Sequence, residues 1–206
     1  MQTLGLQDEI KRSDGFLKSI FWPSVQNAWD VDYLGQQGFW ICTLIAILTL
    51  VISILSSGGN LWISTLGILG AVIYFTGGMG VREKSWAAAG AIFFAYLLET
   101  MLGMGTGAIS PVAVLRILIL GVLFSNVRAT LIASRWRQPA EDEDRPTRFN
   151  ETFRDKLVDQ WPPLLWPIVR IPFYLLVGVW SLICVFGMVM MALIRLGVVP
   201  IPAVNH

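Results

Sequence analysis

The chain has 206 residues, of which 55% are hydrophobic and only 14% charged, and its mean hydropathy is +0.64. That balance excludes an ordinary soluble globular domain and makes lipid the expected solvent. A net charge of +1 gives no global attraction to nucleic acid, so no nucleic-acid partner is expected and any useful polarity must lie in how the charges are distributed.

In chain order, residues 1–38 read as a cytoplasmic, interfacial segment. Phe16, Leu17, Ile20, Phe21 and Trp22 form an apolar cluster ended by Pro23, and Trp29 and Tyr33 follow before Gly35. Five apolar runs then approach the ~20 residues needed to cross a ~30 Å hydrocarbon core. They are residues 39–57, 61–81, 86–102, 112–134 and, after a linker, 171–194. The first four make a membrane region over 39–136. The fifth, with a short outer tail, occupies 168–206. The first run starts too deep in the chain, after charges of both signs, to be a cleaved signal peptide. The expected fold class is therefore all-α: a polytopic integral membrane bundle of about five helices with short amphipathic interfacial helices.

Basic residues set the expected orientation. Lys11, Arg12 and Lys18 precede the first run, Arg82 and Lys84 separate the second from the third, and Arg135, Arg137, Arg145, Arg148, Arg154, Lys156 and Arg170 lie between the fourth and fifth. The other connections, "SSGGN" and "GMGTGAISP", carry no Lys or Arg, and Arg195 alone lies near the C-terminal end. The positive-inside rule then puts the N-terminus and the 137–167 linker in the cytoplasm and the C-terminus outside, with the bacterial inner (plasma) membrane as the expected location. Trp40, Trp62, Trp86 and Trp136 fall at expected span ends, Trp161 and Trp166 lead into the last span, and Trp180 is the exception, placed mid-span.

Three ionisable residues lie in the third and fourth runs: Glu99, Arg116 and, about 18 Å further along the fourth, Arg128. Glu99 lies four residues before Gly103 and Arg116 five after Pro111, which puts both roughly 6–8 Å below one end of a helical hairpin. Ala87, Ala91, Ala95 and Glu99 recur every four residues. A row of small side chains lets helices approach closely, so this face is expected to pack against another helix and to turn Glu99 inward. A structural Glu99–Arg116 ion pair is the leading expectation, ahead of snorkelling by Arg116. A transport or proton-relay role comes third.

Within the 137–167 linker, Phe149, Phe153, Leu157 and Trp161 recur on one face of an expected amphipathic helix over 147–161, with Pro162 as its stop. Its charges cancel, so lipid headgroups or its own bundle are the expected support, and a partner protein is the alternative. The acidic run Glu141–Asp144 lacks loop-ligand spacing and reads as solvated linker. Asn150-Glu151-Thr152 matches a glycosylation acceptor on the side where it would not be used. The Gly77-Gly78-Met79-Gly80 run lacks the Lys-Ser/Thr sequel of a phosphate loop and reads as a flexible hairpin hinge.

Chemistry is mostly subtracted. The sole histidine is His206, Cys42 and Cys184 both sit in apolar runs, and no span holds two aspartates. No catalytic, cofactor-binding or metal-ligating residues are assigned, and no cofactor is expected. The leading expectation is a non-enzymatic scaffold or accessory subunit, in contact with the lipid bilayer and joined to a protein partner or a second copy through its membrane helices. A small transporter or channel component with Glu99 and Arg116 lining a polar path is the alternative, and a membrane-embedded lipid or envelope enzyme is third. The orientation predicts that Ser57→Cys and Asn205→Cys react with a membrane-impermeant maleimide in intact cells, whereas Asp142→Cys does not. The reverse pattern would invert the topology.

Overall fold

The computed structural model describes residues 22, 24–25, 28–104, 111–135 and 156–198. They form five α-helices with no strand among them: α1 (Ala28–Ser56), α2 (Leu61–Arg82), α3 (Trp86–Met104), α4 (Pro111–Arg135) and α5 (Trp161–Arg195), the last preceded by one π-helical turn at Lys156–Gln160. All five are long and apolar enough to cross a membrane. The molecule is an all-helical polytopic bundle.

The turns follow from local chemistry. After α1, Gly58 and Gly59 take positive φ values of 52° and 89°, and the Asn60 side chain caps α2 by accepting from the Trp62 N–H at 3.0 Å. Between α2 and α3 the chain reverses almost at once. Lys84 N–H bonds to the Val81 carbonyl and Ser85 N–H to the Gly80 carbonyl, both at 3.0 Å, with Lys84 at φ 59°: this closes α2 with a Schellman motif. Ser85 then begins α3, its hydroxyl accepting from Ala88 N–H at 3.3 Å. One residue thus ends one helix and starts the next.

Helices α1 to α4 form a ring in which each packs on its chain neighbours and α4 closes back on α1; α5 lies in the groove between α2 and α3. Helix α2 packs closely on three partners because glycines stand at its contact points. A methyl group on Gly67 would collide with Ser53 and one on Gly78 with Cys42, both of α1; on Gly77 it would meet Ile92 of α3 and Phe173 of α5, and on Gly80 Ala88 and Trp166. Gly77-Gly78-Met79-Gly80 is therefore not a hinge. It is helical and buried where three helices converge, and its glycines are needed for close approach. The alanine row behaves alike: Ala95 is fully buried and Ala91 packs against the core, while Ala87 is half-buried.

Helices α2, α3 and α4 begin and end within two residues of the apolar runs, but α1 and α5 are longer. Helix α1 starts eleven residues before Phe39, taking in Asp30, Asp32, Gln36 and Gln37. Helix α5 starts ten residues before Ile171 and has Pro162 in its first turn, with Pro167 and Pro172 inside. Pro162 was expected to stop a helix and instead opens one, because a first-turn N–H has no intrahelical acceptor to lose. Of the expected 147–161 face, Leu157 lies in the π-helical turn against the core and Trp161, the first residue of α5, is 43% exposed. Phe149 and Phe153, the apolar cluster before Trp22, Glu141–Asp144 and Asn150 lie outside the described residues.

Gly80→Leu is expected to destabilise the bundle by about 1–3 kcal/mol through overpacking against Trp166 and Ala88. Gly90→Ala, with open space around its Cβ, is expected to be neutral or to stabilise by up to ~1 kcal/mol through helix propensity. Thermal unfolding in detergent compares the two, and equal destabilisation would contradict the packing account.

Candidate functional site

Two groups of ionisable side chains lie inside the bundle, and they differ in how completely they are satisfied. The first is centred on Arg82, the last residue of α2, whose side chain is 2% exposed. Its Nη1 donates to the Asp32 carbonyl at 3.0 Å and lies 3.0 Å from Asp32 Oδ1. Nη2 donates to Asp32 Oδ2 at 3.1 Å and to Asp159 Oδ1, and Nε donates to the Val158 carbonyl at 3.3 Å. Lys84 Nζ adds a looser contact, 3.7 Å from Asp32 Oδ1. Every guanidinium nitrogen is engaged, with two carboxylates against two cations. With its guanidinium fully engaged, this cluster acts as a structural clasp joining α1, α2 and the turn before α5.

The second group lies nearer the opposite end of the bundle. Glu99 is five residues from the end of α3 and Arg116 five from the start of α4, which is ~7.5 Å along each axis. The two sequence-predicted residues do meet, but not as a carboxylate–guanidinium pair. Arg116 Nη1 reaches the main-chain carbonyl of Glu99 at 3.4 Å. The carboxylate is held instead by Trp180 of α5, whose Nε1 donates to Glu99 Oε1 at 2.6 Å. The buried Tyr74 hydroxyl of α2 lies beside the same carboxylate without a well-formed hydrogen bond.

Glycines make this arrangement possible. The Arg116 guanidinium crosses α3 directly over Gly103, where any Cβ would collide with it. The Trp180 ring passes Gly70, with Cη2 and Cζ2 3.6 Å from where a Cβ would stand. Glu99, Arg116 and Trp180 line an open cleft of ≈ 460 Å³ to which all five helices contribute, α1 through Thr49 and Ser53. Its volume is in the range of small-molecule sites. Cys184 also lines it, whereas Cys42 is packed in the core away from it.

Sequence reasoning identified Glu99 and Arg116 and missed Trp180. The signal was present in the position of Trp180, since an indole placed mid-span rather than at an interface has an N–H donor that needs a partner inside the membrane. Asp32 and Asp159 were missed as well. Both lie outside the apolar runs, and nothing local marks them as partners of Arg82. Among the described residues no group of three or more His, Cys, Asp or Glu gathers where a metal ion could sit.

No protein-family model, curated protein or solved structure matches the chain. The site therefore has to be read from its own chemistry.

The clasp predicts an asymmetry between its members. Arg82→Met leaves Asp32 and Asp159 facing each other without their shared cation and is expected to cost about 3–5 kcal/mol. Lys84→Met, which removes a longer and half-exposed contact, is expected to cost no more than ~1 kcal/mol. Folded yield and thermal midpoint in detergent measure both, and a tolerant Arg82 would refute the clasp.

Proposed function

We propose that this chain is a non-enzymatic membrane protein that binds a small charged or amphipathic molecule within the bilayer, as a small transporter or the ligand-holding component of one. Glu99, Arg116 and Trp180 form the polar floor of the site. One observation carries this reading: a partly buried acid and base share an open cleft yet are not joined to each other as an ion pair. Ionisable groups at membrane depth are costly, and a structural role is best served when they are saturated, as Arg82 is. Here a carboxylate with about four acceptor positions receives one indole N–H and has the Tyr74 hydroxyl beside it, and a guanidinium with five donors makes one long bond to a carbonyl. A ligand carrying complementary groups would complete both.

The scaffold reading, which rests on small-residue faces and two cytoplasmic amphipathic elements, receives less support from the first of these. The glycines of α2 and the alanine row of α3 pack within the chain itself. For orientation, the distribution of Lys and Arg supports a cytoplasmic N-terminus and linker, which opens the cleft toward the outer half of a plasma membrane.

Native mass spectrometry of the full chain, released from mild detergent after extraction from its host membrane, tests the proposal. Wild type is expected to carry a bound species of defined mass. The double variant Glu99→Gln/Arg116→Gln, folded by size-exclusion criteria, is expected to lose at least about tenfold of that occupancy, since hydrogen bonds to charged groups contribute ~1.5–3 kcal/mol each. Bare wild-type protein, or equal occupancy in both, would overturn the reading.

A further inference from the structure

The depth and walls of the cleft specify the ligand more narrowly, and we infer that it is a zwitterionic amphiphile of the aminophospholipid class, with its ammonium on Glu99, its phosphate on Arg116 and its acyl chains outside the cleft. The inference rests on the binding reading above and adds three observations.

First, the two floor charges are opposite and separate: the guanidinium is held at the Glu99 main-chain carbonyl while the carboxylate is turned to Trp180. A singly charged ligand would satisfy one and leave the other as it is. A headgroup with ammonium and phosphate a few bonds apart would satisfy both, with N–H donors for the carboxylate and oxyanions for the guanidinium fork. Second, most of the cleft lining is apolar, with Thr49 and Ser53 of α1 as its polar side chains beyond the floor. Ile63 and Leu66 of α2 and Ile183 of α5 line the cleft and are 42%, 40% and 43% exposed. Partly exposed aliphatic side chains of this kind suit hydrocarbon chains. Third, the Glu99 and Arg116 backbones lie ~7.5 Å below the ends of α3 and α4, and the Trp180 ring that holds the carboxylate packs at Gly70, nine residues or ~13.5 Å into α2. A lipid of the same leaflet reaches this depth without leaving the bilayer, by lowering its headgroup along the open side of the cleft.

Each polar partner has a defined role. Glu99 selects for a primary ammonium over a headgroup lacking N–H donors. Arg116 holds the phosphate common to all phospholipids, and Gly103 keeps α3 out of its way. Trp180 fixes the carboxylate rotamer through Oε1.

The test uses the full chain, purified and depleted of lipid, with defined lipids added back and occupancy read by native mass spectrometry. Dioleoylphosphatidylethanolamine is expected to bind about tenfold more tightly than dioleoylphosphatidylglycerol, whose headgroup lacks the ammonium, with dioleoylphosphatidylcholine between them. Glu99→Gln, whose amide oxygen can still accept from Trp180, is expected to fold and to lose the preference while still binding all three lipids. Arg116→Gln should weaken all three together, and Arg116→Lys should restore part of that loss. Equal affinity of the ethanolamine and glycerol lipids for wild type, or a preference that survives Glu99→Gln, would overturn the inference. So would competition by tail-less glycerophosphoethanolamine at the same concentrations as the lipid, which would identify a soluble zwitterion instead. In each of these cases an endogenous species lost from the Glu99→Gln/Arg116→Gln variant would leave the binding reading standing; its absence as well would remove both.

Discussion

The fold depends on a buried guanidinium at one end of the bundle. Arg82 joins Asp32, fifty residues before it, to Val158 and Asp159, more than seventy after it. A Lys in that position would offer one point charge, whereas the planar fork of Arg meets two carboxylates and two main-chain carbonyls at fixed angles. A charge in this environment is tolerated only when every donor is answered. That requirement constrains its neighbours: α1 must extend far enough to bring Asp32 alongside, and the chain before α5 must bring Asp159 inward. The long α1 and the π-helical turn before α5 both meet this geometric demand. Helical pairing alone would not require either.

The glycine run just before Arg82 belongs to the same constraint. For one side chain to reach α1 and the α5 entry together, the axes near it must lie close, and Gly77, Gly78 and Gly80 remove the Cβ atoms that would hold them apart. Trp166 and Phe173 of α5 fill the remaining space, with ring centroids 5.5 Å apart. Lipid supplies no hydrophobic drive for helices to associate, so contact area and satisfied polar groups must hold the bundle together. At this end both are present, and the tight α2–α3 reversal through Ser85 keeps the two helices in register.

How far the sequence revealed this depends on whether a feature was local. The bounds of α2, α3 and α4 were legible because glycine, asparagine, proline or charge flanks each apolar run. The starts of α1 and α5 were not. Residues 28–37 of α1 include Asp30, Asp32, Gln36 and Gln37, and residues 161–172 of α5 include four prolines, and hydropathy counts such residues against a span even when tertiary partners make helix the best solution. The proximity of Glu99 and Arg116 followed from equal depth on two helices joined by a short connection. Their separate partners did not, because Trp180 is eighty-one residues from Glu99 and pairing at that distance leaves no periodicity to read. The same holds for Arg82, which in the sequence is one of several loop charges.

The two polar clusters make opposite use of one physical cost. Removing a charge from water is unfavourable wherever it happens, and protein groups can offset it or leave it to something that binds. At Arg82 the chain supplies all the partners, which leaves a rigid, closed joint. At Glu99 it supplies an indole, a nearby phenol and a carbonyl, and holds the guanidinium across a bare glycine where it faces a cleft instead of an acid. Had the chain needed only stability there, a bidentate Glu99–Arg116 pair within a closed helix contact would have served better, and small residues to permit that contact are already present on α3. The carboxylate is instead fixed in place by α5, the one helix that sits outside the four-membered ring. Any displacement of α5 would therefore move Trp180 away from Glu99 and change how much of the carboxylate faces the cleft. Under the proposed binding role, occupancy would bear on the seating of α5 through this hydrogen bond, while Trp166, Phe173 and the Asp159 end of the clasp hold α5 in its groove.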